Sequence, residues 1–165
     1  MTPREFFPNM PDEVFEMWIE PMIDSKGWPF TESNLSTVGT KWFHVFGFEY
    51  PLTYWRAIKW SLVELEIFTE KVNDNTHAVF HCIALHGITG RYTTVTAGLT
   101  DSQLRFRACA EFIKDKGILP KPIIAIREKN GSLKIIDGNH RISAYILINK
   151  TNQLSGIVKA WMPVE

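Results

Sequence analysis

The chain has 165 residues, of which 45% are hydrophobic, and its 18 basic and 18 acidic side chains give a net charge of zero. This length predicts one compact domain that buries its own core and needs no disulfide framework. The zero net charge argues against nucleic acid as the main partner, because broad nonspecific binding depends on a large positive excess. No apolar run is long enough to span a bilayer, and prolines and acidic residues near the start argue against a signal peptide, so we expect a cytoplasmic protein.

The first half contains the less regular patterns. An acidic helix is predicted over Asp12–Glu20, ending near Pro21, and an aromatic strand over Trp42–Glu49. After Pro51, apolar residues recur at three and four positions, which predicts one helix that ends at Asn73. Its apolar positions are Trp55, Ile58, Leu62, Leu65, Phe68 and Val72.

The middle of the chain is ambiguous. His77–His86 fits a strand or a helix, and the β-rich Arg91–Thr96 after it favours a hairpin. Thr100 has capping-box spacing with Gln103, which predicts a helix to about Lys116 that Gly117 ends. The predicted buried face of that helix is Leu104, Ala108, Phe112 and Ile113.

The last third gives the clearest signals. Lys121–Ile126 and Leu133–Ile136 flank Asn130-Gly131, a strong hairpin signal. A helix then runs to about Asn149, and Gly156–Trp161 is predicted to return as a final strand.

The turn Asp137-Gly138-Asn139-His140-Arg141 is the main candidate site. Gly138 allows a sharp turn and close approach of a ligand, because it has no Cβ. The next three residues lie in the first helical turn, where unpaired amides and the helix dipole favour an anion. Each residue also has a simpler interpretation: Asp137 stabilises the turn, and His140 and Arg141 are ordinary surface side chains.

Two longer segments around this turn resemble the ParB/sulfiredoxin superfamily. They are Gly117-Ile-Leu-Pro-Lys-Pro-Ile-Ile and Ile136-Asp-Gly-Asn-His-Arg-Ile-Ser-Ala144, within a match over about residues 100–161. The resemblance implies an α+β fold, with a mixed sheet and flanking helices over residues 100–165. Residues 1–99 would then be a helical and aromatic N-terminal extension within the same single domain, 1–165.

The resemblance also implies a nucleotide site for ATP, ADP or CTP, with Mg²⁺. Gly138, Asn139, His140 and Arg141 would bind the phosphates, and Asp137 and His140 would be the catalytic residues. The leading hypothesis is therefore a small nucleotide-dependent enzyme. It would hydrolyse a nucleoside triphosphate or transfer a phosphoryl group to a protein or small-molecule acceptor. No protein ligands for the metal are identifiable from the sequence.

The chain also departs from the superfamily. Sulfiredoxins have a cysteine where Asn139 stands, which argues against sulfinic acid reduction. Partition proteins have Glu-Arg-Arg after the glycine and continue into a helix-turn-helix region, so a partitioning role is not expected. The alternative is a noncatalytic regulatory or protein-interaction module that docks a partner on its aromatic N-terminal half. A ParB-like nuclease ranks below both, because no cluster of metal-binding carboxylates is recognisable.

The remaining candidates are weaker. His77, His81, Cys82 and His86 lie close together in sequence, but their spacing fits no standard zinc motif, and partial burial in a sheet is the preferred interpretation. Cys82 and Cys109 are both expected to be buried thiols. Trp55 is expected in the core and Trp60 at the surface.

The charges are unevenly distributed. Up to Gly90 there are six basic and twelve acidic residues, and from Arg91 onward twelve basic and six acidic. The basic half contains the Asp137–Arg141 turn, which suits a phosphate-bearing ligand.

Overall fold

The computed structural model describes residues 2–28, 50, 52–89 and 97–164. These residues divide into two compact units, residues 1–61 with 163–165 and residues 62–162. The strand predicted over Trp42–Glu49 and the β-rich segment Arg91–Thr96 lie outside the described residues.

The described part of the first unit is mainly helical. Its helices are α1 (Pro3–Phe6), α2 (Asp12–Val14), a π-helical turn (Phe15–Ile19), α3 (Glu20–Lys26) and α4 (Leu52–Ala57). The prediction that the acidic helix ends near Pro21 is wrong, because helical structure continues to Lys26. Pro21 lies in the first turn of α3, directly after the wide π turn, where its missing N–H and its ring are tolerated.

Aromatic side chains form the core of this unit. Phe6, Phe7, Trp18 and Trp55 are all buried, and the rings of Trp18 and Trp55 meet edge to face at 5.2 Å. The prediction that Trp55 is a core residue is confirmed. Trp60 is half-buried and stacks on Trp55 at 6.3 Å, so it is not the surface residue that the sequence suggested.

The sheet has four strands and is mixed. They are β1 (Lys59–Glu66), β2 (Ile123–Arg127), β3 (Leu133–Asp137) and β4 (Ile157–Val164), in the order β1-β4-β2-β3. β2 runs antiparallel to β3 and parallel to β4, with Ile124 opposite Asp137. The mixed α+β architecture expected from the sequence is therefore present.

Three helices accompany the sheet: α5 (Asp74–Thr89), α6 (Ala97–Lys116) and α7 (Asn139–Asn152). They pack against one another, and buried residues from all three join the strands in one core. Its most buried members are Ile113, Ile123, Ala125, Leu133, Ile142, Ala144, Tyr145 and Ala160.

The long helix predicted from Trp55 to Val72 is wrong. The chain is helical only to Ala57 and then forms strand β1. Val63 and Leu65 pack on the core, whereas Leu62, which the predicted helix would bury, is 42% exposed, so burial follows a two-residue period. Long-range pairing within the sheet thus overrides a helical spacing that was only local.

Of the two possibilities for His77–His86, the structure has the helix, α5, so the favoured hairpin is wrong for this segment. The side-chain Oδ1 of Asn73 accepts hydrogen bonds from the amides of Asn75, at 2.9 Å, and Thr76, at 3.4 Å, and thereby caps α5. The polar run Asn73-Asp74-Asn75, which the sequence pattern predicts as the end of a helix, therefore lies at the beginning of α5. Cys82 is exposed on α5 and Cys109 is only half-buried, so neither is the fully buried thiol that was predicted.

Helix α6 begins at Ala97, three residues before the predicted cap at Thr100, and ends at Lys116 as expected. Its predicted buried face is wrong except at Ile113. Leu104 is 62% exposed and Phe112 is 38% exposed, while Phe106 and Ile113 are buried. The C-terminal predictions are confirmed: the β2–β3 hairpin, α7 and β4 all form, and the last two extend a few residues beyond their predicted ends.

Arg127, the last residue of β2, pairs with the carboxylate of Glu70 from the segment between β1 and α5, and this pairing depends on pH. Arg127 donates to both oxygens of Glu70, Nη1 to Oε2 at 2.8 Å and Nη2 to Oε1 at 3.0 Å. These hydrogen bonds are the main cause that lowers the pKa of Glu70, and burial acts against them. The folded state therefore favours the carboxylate, so the stabilisation is complete above the unfolded pKa and is lost as pH falls through the folded pKa.

We expect Glu70→Gln to lower the free energy of unfolding by up to about 1 kcal/mol at pH 7, since Arg127 is partly exposed. The difference from the unsubstituted protein should shrink below about pH 4, where the unfolded carboxyl becomes protonated. Urea unfolding at pH 7 and pH 3 measures both values. An equal difference at the two pH values would show that Glu70 does not act through its charge.

Candidate functional site

The Asp137–Arg141 turn is a tight junction between a strand and a helix. Strand β3 ends at Asp137 and α7 begins at Asn139, so Gly138 alone makes the connection. Gly138 has φ +100°, a left-handed conformation, and is buried. A Cβ at this position would lie 2.7 Å from Cγ2 of Ile123, so both the backbone conformation and the space require glycine.

Asp137 and Arg141 form an ion pair across this junction. Nη2 of Arg141 lies 2.8 Å from Oδ2 of Asp137 and also donates to the carbonyl oxygen of Pro122 at 3.0 Å. These bonds join the end of β3, the first turn of α7 and the residue before β2. The guanidinium is consequently fixed at the N-terminus of α7.

The surroundings of Arg141 are partly desolvated. Its side chain is 17% exposed and that of Asp137 is 31% exposed. Nε of Arg141 is buried, and no hydrogen-bond partner for it exists in the described part of the chain. Burial raises the pKa of the Cys109 thiol on α6, and the positive charge of Arg141 acts in the opposite direction, so the field of Arg141 reaches this cysteine.

Asn139 and His140 are half-buried in the first turn of α7. The first hydrogen bond of the helix runs from the amide of Ile142 to the carbonyl of Gly138 at 3.0 Å, so the preceding amides lie outside the helical ladder. The hydroxyl of Ser143 donates to the carbonyl of Asn139 at 2.7 Å, which holds the turn from within the helix. The structure thus brings Asp137 and Arg141 into contact, and Asn139 and His140 lie between them along the chain, in the first turn of α7.

A cavity of about 350 Å³ adjoins this junction through Pro122, which lines the cavity and binds Arg141 by its carbonyl. The walls come from the α6–β2 connection, including Ile118 and Leu119, and from the start of β4. Lys121, Lys159 and Ser155 supply polar groups, and Glu64 supplies one carboxylate.

The roles of two residues near the junction, Pro122 and Cys109, are not evident from the sequence. Pro122 belongs to the superfamily-like motif, but its role as an acceptor for Arg141 depends on a contact between residues 19 positions apart, which no local pattern shows. Cys109 was interpreted only as a buried thiol, although it lies within the influence of Arg141. The four-residue spacing of Asp137 and Arg141 was the one available signal for their pairing.

The structure places His77 and His81 on the helix α5. His77 and His81 are exposed on α5, one helical turn apart, so the expected partial burial in a sheet is wrong. Within the described ranges, no group of three or more histidine, cysteine, aspartate or glutamate side chains is arranged to hold a metal ion.

Comparison with known proteins shows no relative of this chain. The chain matches no protein-family model, and it has no significant similarity to a curated protein or to a solved structure. No helix among the described residues has the length and apolar character needed to cross a membrane.

Proposed function

We propose that the protein has a ParB/sulfiredoxin-like fold, binds a nucleoside di- or triphosphate at the Asp137–Arg141 turn, and hydrolyses it or transfers its terminal phosphoryl group. The observation that carries this proposal is the position of Arg141. Its guanidinium is held at the N-terminus of α7 by Asp137 and the carbonyl of Pro122, directly after the left-handed turn at Gly138.

Electrostatics favour a phosphate at this junction. The amides before Ile142 and the positive end of the α7 dipole both attract an anion. Arg141 adds a guanidinium with little exposure to water, whose charge is partly offset by Asp137 and which can form strong charge-assisted hydrogen bonds to phosphate oxygens. Asn139 and His140 lie in the same helical turn and would add an amide and an imidazole as further phosphate contacts.

The adjoining cavity favours a nucleotide over free phosphate. Its volume of about 350 Å³ lies within the range of small-molecule sites. Ile118 and Leu119 give it apolar walls suited to a base, and Ser155 gives it a hydroxyl suited to a ribose. Lys121 and Lys159 add positive charge.

The turn constrains the chemistry. Asp137 is its only carboxylate, and one of its oxygens is paired with Arg141. Mg²⁺ would therefore be held chiefly through phosphate oxygens, with Asp137 as a metal-side carboxylate or general base. His140 is the second candidate for proton transfer, because imidazole can accept a proton near neutral pH.

A thermal-shift panel of ATP, ADP and CTP with Mg²⁺ tests the proposal. A ligand present at 100 times its Kd should raise Tm by about 5–10 °C for a chain of this size. Asn139→Asp places a negative charge where the phosphates would lie and should remove the shift. Asn75→Asp is the matched control, because Asn75 lies in the first turn of α5, and it should leave the shift unchanged.

Absence of a shift with every nucleotide at millimolar concentration would contradict nucleotide binding. A shift that survives Asn139→Asp would place the nucleotide elsewhere in the protein. Release of inorganic phosphate, measured on the same variants, separates hydrolysis from binding alone.

A second candidate is a noncatalytic interaction module. Leu104 and Phe112 are exposed on α6 with Ala108 between them, so three apolar residues follow one another at four-residue spacing. Four aromatic residues of the N-terminal half, Phe6, Phe7, Trp18 and Trp55, do not support docking in the same way, since they are buried. This candidate predicts that Asp137→Ala leaves function intact.

A further inference from the structure

A second cavity lies between α5 and α7, where no function has been assigned. Its volume is about 150 Å³, and its lining is mostly apolar. Phe80 and Ala84 on α5 face Leu147 on α7 across it. A cavity of this volume with apolar walls is large enough for one benzene ring.

The titratable side chains that line this cavity are all basic. His77 and His81 lie one turn apart on α5, and Lys150 lies near the end of α7. All three side chains are exposed, so they can contact a ligand without leaving water completely. Among the described residues, no aspartate or glutamate lines the cavity, so none of these neutralises the charge of Lys150 there.

Ser143 also lines the cavity but has another partner. It is 2% exposed, and its hydroxyl donates to the carbonyl of Asn139 at 2.7 Å. Ligand recognition therefore falls to the two histidines and the lysine, which are hydrogen-bond donors at positions suited to an anion.

We propose that this cavity binds a small aromatic carboxylate. The ring would lie between Phe80, Ala84 and Leu147, and the carboxylate would accept hydrogen bonds from Lys150, His77 and His81. The apolar walls favour the ring because its transfer from water is favourable. The lysine favours a carboxylate over a neutral group of the same shape. This inference does not depend on nucleotide binding.

Benzoate and benzamide are the probes, because they share a ring and differ in charge. Titration into the full chain, followed by calorimetry and by backbone amide NMR shifts, should give saturable benzoate binding, with the shifts concentrated in α5 and α7. Benzamide should bind at least about tenfold more weakly, which is about 1.4 kcal/mol.

Two variants test the two halves of the ligand. Ala84→Leu fills the cavity and should abolish binding. Lys150→Met keeps the length of the side chain and should weaken benzoate at least about tenfold, the loss of about one good charged contact. Lys129→Met, at an exposed position in the β2–β3 hairpin, is the matched control and should not change the affinity.

Several outcomes would overturn the inference. They are no saturable benzoate binding, equal affinity for benzamide, or shifts centred on the Asp137–Arg141 turn. If Ala84→Leu does not fold, His81→Gln provides the corresponding test at the cavity rim, and unchanged benzoate affinity in both His81→Gln and Lys150→Met also contradicts it. Asn139→Asp should not affect benzoate, which distinguishes failure here from failure of the nucleotide proposal.

Discussion

Gly138→Ala is expected to lower the free energy of unfolding by about 2–4 kcal/mol. One part of this cost is the left-handed backbone at φ +100°, which disfavours any residue with a Cβ by roughly 1–2 kcal/mol. The other part is the contact with Ile123, because the new methyl group would lie 2.7 Å from its Cγ2 and force the strand away. Urea unfolding followed by circular dichroism measures the change.

Gly131→Ala separates the two contributions. Gly131 also has a positive φ, +83°, but no atom lies within 4 Å of a Cβ built there. Only the conformational cost applies, so we expect a loss of about 1–2 kcal/mol. Equal losses in the two variants would show that the approach of Ile123 to Gly138 contributes nothing.

Ile113→Ala is expected to cost about 2–5 kcal/mol, since the side chain is fully buried in the core of the second unit and its removal leaves a cavity. Thermal and urea unfolding should agree on the direction. The magnitude within this range depends on how far the neighbouring side chains close the space.

Leu104→Ala is the matched control on the same helix. Leu104 is 62% exposed, so its truncation should change stability by no more than about 0.5 kcal/mol. The helical spacing of α6 predicts that both residues are buried, and a large loss from Leu104→Ala would support that prediction over the observed orientation of the helix.

The C-terminal third was predictable because its signals are local. Asn130-Gly131 specifies a hairpin by its own backbone preferences, and Gly131 does adopt a positive φ. Gly117 likewise has φ +73° after the last residue of α6, where a helix commonly ends on a left-handed glycine. Neither position needs information from distant parts of the chain.

The predictions of secondary structure are wrong where the local sequence fits two structures and tertiary contacts determine which one forms. Leu65 fits both the three- and four-residue spacing that begins at Trp55 and the alternation with Val63, and only pairing in the sheet selects the alternation. Asn73 is polar enough to end one helix or to cap another. In the structure its side-chain Oδ1 caps α5. Its Nδ2 also donates to the buried Glu128 at 2.7 Å, a partner 55 residues away that helps to fix this position.

At the candidate site, too, some features follow from the local sequence and others depend on tertiary contacts. The left-handed Gly138 and the pairing of Asp137 with Arg141 follow from spacing and residue type. The carbonyl of Pro122 binds Arg141 from another element, and the charge of Arg141 acts on the Cys109 thiol of α6, so both relationships are evident only in three dimensions.

The strand order has a consequence for biosynthesis. β4 is the last of the described strands and lies between β1 and β2, so β1 has no neighbour among them until β4 has been made. While the ribosome still holds residues 157–164, the nascent chain can complete the β2–β3 hairpin but leaves β1 with an unpaired edge. Such edges promote association with other chains. The growing polypeptide therefore exposes this strand edge to other chains until β4 has emerged.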